Sequence, residues 1–480
     1  MSHRPSPLMA LTTRLLPFAD AASEGLPMSQ LLRLSLFQVS VGMATVMLLG
    51  TLNRVMIVEL SVPAVIVAVM IALPVLIAPF RALLGFRSDT HRSAIGWKRI
   101  PYLWFGSLWQ MGGLAVMPFA LLVLSGQQAV GPTWAGEVLA ALAFLMTGLG
   151  LHMTQTAGLA LATDRADDET RPRVVALLYI MFLLGMGLSA LIIGWLLRDF
   201  APLTLVRVVQ GAAVVGIVLN LIALWKQEKV TPMSRAERAA PRPKFSEAWA
   251  DLIAGGQAGR LLAVVFFGTM AFNMQDVLLE PYGGEILGLS VSATTVLTAV
   301  WALGALIGFA LAGRMLSRGS CAYRIAALGL LSGVVAFCTV IFAAPMGSSV
   351  MFFCGAGLIG FGSGLFAVAT LTAAMTMPAT GAAGHGLALG AWGAAQATAA
   401  GLSIALGGGL RDWIGGMATS GHLGEVLNTP ATGYSFVYHI EIGLLFVTLA
   451  ALGPLVRYAP SRPRNKNSET GRIGLADFPT

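Results

Sequence analysis

Long apolar runs, each of about 18 residues or more, recur about a dozen times in this chain, and they constrain it more than any other feature. At about 1.5 Å per residue, a helical run of that length crosses a ~30 Å hydrocarbon core. Only 11% of the residues are charged and 56% are hydrophobic, against roughly 25% charged in an average soluble domain. Segments this apolar have no aqueous core large enough to receive them, so the chain reads as an integral membrane protein. Its 56 glycines fit, because small residues let helices approach closely where larger apolar side chains gain nothing over lipid.

The runs fall at 31–53, 62–84, 100–124, 134–162, 174–197 and 202–225, and then at 261–282, 291–314, 322–344, 348–377, 385–409 and 433–456. We number these spans 1 to 12. Six, a break and six more predict an all-α membrane protein of twelve transmembrane helices in two pseudo-symmetric six-helix bundles. The expected units are an N-terminal arm (1–30), a first bundle (31–225), a linker (226–260), a second bundle (261–457) and a disordered tail (458–480).

Loop charge predicts orientation. With the N-terminus inside, every Lys and Arg except Arg54, Arg198, Arg207 and Arg411 falls on the cytoplasmic side, so both termini are expected there. The net charge of +8 is then a topology signal, and with no aqueous domain to carry a basic face, nucleic acid is excluded as a partner. Cys321, Cys338 and Cys354 lie in apolar segments and read as buried thiols. The first run lacks a small-residue cleavage site and reads as a retained span, preceded by a short surface stretch around Leu8 to Phe18. In the linker, Phe245, Trp249, Leu252 and Ile253 share one face, which predicts an amphipathic helix at the interface or between the bundles.

Short internal repeats support duplication. Leu60-Ser61-Val62 before span 2 recurs as Leu289-Ser290-Val291 before span 8, and Arg198-Asp199-Phe200 after span 5 as Arg411-Asp412-Trp413 after span 11. Two halves of the same hand imply a parallel repeat.

Between spans 2 and 3 lies GFRSDTHRSAIGWKRIPYLWFG (85–106), which concentrates charge between two apolar runs. Gly85 and Asp89, followed by Arg92, Lys98 and Arg99, resemble the loop signature of the major facilitator superfamily of transporters, with a longer spacer than usual. RLSLFQVSVGMATVMLLGTLNRVMIVELSVPA (33–64), LHMTQTAGLALATD (151–164) and MQDVLLEPYGGEILGLSV (274–291) narrow the resemblance to that superfamily's bacteriochlorophyll delivery branch, the PucC and LhaA light-harvesting assembly proteins. The resemblance implies an assembly factor of the bacterial inner or intracytoplasmic photosynthetic membrane that binds bacteriochlorophyll a or delivers it to light-harvesting antenna polypeptides. Chlorophyll synthase, the protein-insertion machinery and membrane lipid are the further partners it implies.

Candidate residues follow from what is expensive in a bilayer, where translocon scales give roughly 3 kcal/mol for a central charge. His152 and Gln155 share a face of span 4 with Thr156, Leu159 and Thr163, and the superfamily resemblance points that span at the central cavity. A neutral imidazole there can ligate the magnesium of a pigment or simply bond to Gln155 or a neighbouring helix. His385 shares a stripe of span 11 with Trp392, where glycines Gly381, Gly384 and Gly386 permit close approach of a macrocycle or a helix. His439 on span 12 could meet a pigment at the protein surface, and Trp104, Trp109, Trp195, Trp301 and Trp392 could stack on one. On span 7, Asn273, Asp276 and Glu280 fall at i, i+3 and i+7, as either a proton site or a polar network reaching Gln38, Thr45, Asn53 and Arg54 on span 1. Asp89, with Arg92, Lys98 and Arg99, reads as a latch on the cytoplasmic side, and Asp164, Arg165, Arg171 and Arg173 repeat its chemistry after span 4. The competing function is a proton-coupled secondary transporter. With no nucleotide loop, catalytic dyad, metal cluster or nucleophile elbow in sight, we expect no enzyme and no metal site.

Overall fold

The computed structural model describes residues 21–23, 26–53, 55–56, 64–124, 133–197, 201–228, 230, 232–234, 244–254, 256–289, 291–377 and 384–457. Arg54, the Leu8 to Phe18 stretch, the tail from 458 and one copy of each short repeat, in whole or in part, lie outside them. The described residues form helices and turns without a strand.

The first half comprises α1 (Met28–Thr45), α2 (Ala64–Ile77), α3 (Arg81–Asp89), α4 (Ile100–Leu124), α5 (Thr133–Arg165), α6 (Arg171–Leu196) and α7 (Pro202–Leu224). The linker contributes α8 (Phe245–Ala254). The second half comprises α9 (Gln257–Asn273), α10 (Leu279–Glu285), α11 (Val291–Ser317), α12 (Ala322–Ala343), α13 (Ser349–Met375), α14 (His385–Thr419) and α15 (Ala431–Arg457). Span 2 is thus α2 and α3 joined by the 3-10 turn Ala78–Phe80, and span 7 is α9 and α10 joined by the 3-10 turn Met274–Val277. Pro74 and Pro79 explain the first break, since each removes a backbone donor from the helical ladder.

Among the described residues, eleven helical runs, counting α2 with α3 and α9 with α10, are long and apolar enough to cross a membrane. The twelfth, α14, runs for 35 residues but is so rich in glycine and alanine that its hydropathy stays modest. Those small residues serve packing. A Cβ on Gly85 of α3 would land on the Gly386 carbonyl of α14, one on Gly390 would meet the Arg81 carbonyl, and one on Gly401 would meet Val75 of α2. Spans 2 and 11 therefore touch backbone to backbone. A further contact between halves joins α6 to α11, through the Tyr179 and Phe309 rings 5.0 Å apart and through Gly313 against Ala176.

α8 folds its apolar face onto these helices. Phe245 meets Phe86 of α3 edge to face at 5.5 Å, and Ala248 is buried with Ala82, Phe86, Leu387 and Ala391. The linker helix thus covers the junction of α3 and α14, as an element between the bundles.

Candidate functional site

The end of the molecule that carries α8 and the basic loops is held by a polar network centred on Arg99. Arg99 is 3% exposed. Its Nη2 donates to Asp89 Oδ1 (2.5 Å), its Nη1 to Ser88 Oγ (2.5 Å) and its Nε to Asp164 Oδ2 (2.9 Å). The Asp89 carboxylate also accepts the Gly386 and Leu387 backbone N–H groups, at 2.9 and 2.7 Å. Those donors belong to the first turn of α14, where helix N–H groups lack internal partners and a negative charge is favoured. One aspartate of the first half therefore caps a helix of the second. Gly384 and Gly386 make room for it, since a Cβ on either would overlap the carboxylate. Burial alone would lower the Arg99 pKa, but the charges of Asp164 and Asp89 outweigh it and hold the guanidinium above its ordinary range.

Two further contacts close this end. Glu228, just past α7, accepts the backbone N–H groups of Lys98, Arg99 and Ile100 at 3.0 to 3.3 Å and caps α4. Arg165 Nη1 donates to Gln227 Oε1 (2.8 Å) and its Nη2 to Gln30 Oε1 (2.6 Å), tying α5 to the starts of α1 and the linker. Lys98 thus contributes a backbone donor, while Arg92 sits half-buried in the α3–α4 loop. Arg171 pairs with Asp168 at 2.8 Å, and Arg173 is half-buried on the first turn of α6. The acid after span 4 does not build a second, separate latch. Asp164 shares Arg99 with Asp89, and His385 Nδ1 stands 3.6 Å from it. His385 therefore belongs to the latch rather than to a pigment face.

Deeper in, a buried arginine joins the halves. Arg81 is 2% exposed; its Nε donates to Thr156 Oγ1 of α5 (3.0 Å), its Nη1 to the Gly393 carbonyl of α14 (3.2 Å), and its Nη2 has no partner. Charge counting along the sequence put Arg81 among the loop cations; it is instead a helical residue inside the interface. Its signal was a lone cation flanked by LIAPF and ALLGF. His152, 8% exposed, bonds through Nε2 to the Pro74 carbonyl (3.0 Å) and not to Gln155, which is half-buried. Because a carbonyl only accepts, Nε2 carries the proton and the unpartnered Nδ1 keeps its lone pair.

The tryptophans that could stack on a pigment divide between surface and core. Trp104, Trp109 and Trp195 are exposed on the outer surface, and Trp392 is 2% exposed within the core. Helix packing, not a flat ligand, fills the glycine-rich face of α14. Span 7 departs from its predicted acidic face as well, because the 3-10 turn rotates the residues after Asn273. Asn273 is half-buried and takes no part in that pairing. Asp276 accepts from Gln275 Nε2 (2.5 Å) and Glu280 from Thr298 (2.6 Å), both within the second half. Gln38 is buried with its Oε1 unpartnered, and Thr45 bonds back to Val41. Among the described residues, no hydrogen bond links span 1 to span 7; Arg54, the cation of the expected outer contact, lies outside them.

His439, on α15, has the most open imidazole of the three. Its Nδ1 lies 2.6 Å from the Ser435 carbonyl one turn back, and the ring is exposed. Nδ1 is therefore the protonated nitrogen and Nε2 presents a lone pair outward. Phe436 and Phe446 are exposed on the same face, and Gly443 between them has open space where a Cβ would stand.

Comparison with known proteins gives consistent matches. The chain is 64% identical to an uncharacterized protein in the puhA-bchM intergenic region of Rhodobacter capsulatus, over 98% of both chains. It is 56% identical to protein PucC of Rhodovulum sulfidophilum, over 83% of this chain and 88% of that one. A bacteriochlorophyll synthase 44.5 kDa chain of Rhodobacter capsulatus is 27% identical over 88% of this chain and 94% of its own. Among solved structures, a bacterial homologue of the iron transporter ferroportin in its outward-facing state superposes with a TM-score of 0.70 at 14% identity, covering 89% of this chain and 99% of that one. The proton:xylose symporter XylE of the major facilitator superfamily gives 0.65 at 14% identity, covering 90% and 95%. These two likenesses establish the fold as that of the superfamily, in a multi-pass membrane protein. Residues 51–459 match the family described as PUCC protein, and the chain belongs to that family.

Proposed function

We propose that this protein is an assembly factor for light-harvesting complexes that holds bacteriochlorophyll at its membrane-embedded surface and passes it to antenna polypeptides in the photosynthetic membrane, without catalysing a reaction itself. Its relatives supply the setting, since one is named for bacteriochlorophyll synthase and another is a PucC protein. The observation that carries the reading is His439. A metal-bound histidine usually donates its other ring N–H to a carbonyl or carboxylate, which fixes the tautomer and leaves one nitrogen free. His439 has that arrangement on a face open to lipid, with Gly443 as a flat floor and Phe436 and Phe446 as apolar flanks. The magnesium of a chlorin would supply the fifth coordination position that an imidazole fills. His152, with a free Nδ1 beside the contact between halves, is the second residue whose chemistry fits. The Lys and Arg excess at the α8 end supports a cytoplasmic position for it, where a pigment synthase and the insertion machinery would dock.

The test is to purify wild-type protein and His439→Leu from a pigmented host and measure bacteriochlorophyll per chain. The variant should lose about tenfold or more of its pigment while retaining copurified antenna polypeptides. Unchanged pigment content would refute the assignment.

A further inference from the structure

A carboxyl group that the pigment reading does not use lies at the break in span 7. Glu441, on α15, is 0% exposed. Its Oε1 accepts the Gln275 backbone N–H at 2.7 Å, a donor that the 3-10 turn leaves without a helical partner, and its Oε2 has none. Nearby polar groups are also unsatisfied: Gln275 Oε1 and the hydroxyls of Tyr282 and Tyr438 are buried and unpartnered, and the two tyrosine rings pack 5.5 Å apart.

Among the described residues, no cation stands against this carboxyl. The helices packed on α15 are α9, α12 and α14. Their titratable groups are Arg260 on α9, Tyr323, Arg324 and Cys338 on α12, and His385, Arg411 and Asp412 on α14. Arg260, Arg324 and His385 sit at the basic end, as does Arg457 on α15 itself, each many residues from Glu441 along its helix. Arg411, at the other end, is taken by Asp412 (2.7 Å), Glu285 (2.6 Å) and Tyr434 (2.7 Å). On α15, Tyr434 bonds to Glu285 and His439 faces outward. What does face Glu441 is a second acid. Gln275 bridges the two, giving its backbone N–H to Glu441 and its side-chain N–H to Asp276, which is exposed. Two carboxylates bridged by one glutamine, one of them sealed from water and lacking a counter-ion, do not both ionise.

We propose that Glu441 is a proton-binding site: a neutral carboxylic acid inside the second half, exchanging its proton with the exterior by way of the exposed Asp276. The only bonds made and broken are O–H bonds, with water as donor and acceptor. The proton occupies Oε2, the oxygen that no protein donor reaches. Its release would set a bare carboxylate beside Asp276, still held by the Gln275 N–H. The proposal stands independently of pigment binding.

Infrared spectra of the full-length protein in lipid nanodiscs, labelled with 13C-glutamate or 13C-aspartate, test it. At neutral pH the wild type should show a protonated-carboxyl C=O band that moves with the glutamate label and is lost in Glu441→Gln, whose amide oxygen still accepts from Gln275. Should Glu441→Gln fail to fold, Glu441→Asp should transfer the band to the aspartate-labelled sample. Absence of the band at neutral pH, its survival in folded Glu441→Gln, its failure to move in Glu441→Asp, or its appearance only after sodium is removed would each overturn the proposal, the last in favour of a metal cation at the same oxygens.

Discussion

Replacing Asp89 by alanine should release the basic end of the two halves from each other. The substitution removes the acceptor for the Gly386 and Leu387 N–H groups and one of two carboxylates on a buried arginine. Loss of a helix cap costs about 1 kcal/mol, and stripping one partner from a buried ion pair costs about 3–5 kcal/mol. Asp164 remains on Arg99 Nε and holds the charge term to the lower end of that range, so the combined effect is about 3–5 kcal/mol. At about 1.4 kcal/mol per factor of ten, the closed-to-open ratio falls by roughly 10² to 4 × 10³. A closed state favoured by ~3 kcal/mol would then be balanced or inverted. Spin labels at positions 94 and 320, in a background lacking Cys321, Cys338 and Cys354, read the separation of the halves directly. Wild type should give one short, narrow distance, and Asp89→Ala a longer, broader distribution, with Asp89→Asn between them. An Asp89→Ala protein that is folded and keeps the wild-type distribution would refute the latch.

Glu228→Gln should destabilise the α3–α4 loop by about 1–2 kcal/mol, seen as faster hydrogen exchange at Lys98, Arg99 and Ile100 with the rest of the chain unaffected. Gly85→Ala should lower the thermal midpoint by an amount corresponding to about 1–3 kcal/mol of overpacking, because its methyl would fall on the Gly386 carbonyl; the same change at Gly187, which faces open space, should leave the midpoint in place.

The helices were legible in the sequence because each is a hydrophobic length with polar ends. The span at 100–124 was placed to the residue, helped by Pro101 in its first turn. What the sequence concealed were contacts made by residues far apart in the chain. Glu228 caps a helix that begins 128 residues earlier, and no local pattern marks a carboxylate that will do so. Asp164 and Asp89 looked like two copies of one device because each precedes basic residues, yet they converge on a single guanidinium. Arg81 ends one apolar run and begins another, a position equally compatible with a loop and an interior. Spacing misled at span 7, where i, i+3 and i+7 share a face only if the helix is continuous; the 3-10 turn at Met274–Val277 breaks that assumption. The same turn offers the Gln275 donor that makes Glu441 a partner, and in the sequence Glu441 is one acid in an apolar span with no local pattern to mark it.

The central claim, pigment carriage, is tested most directly by the absorption spectrum and polypeptide content of this protein purified under mild conditions from a phototrophic host. The account predicts bacteriochlorophyll in stoichiometric amount, with antenna polypeptides in the same fraction. A colourless preparation from pigmented membranes, with no antenna polypeptide, would contradict it.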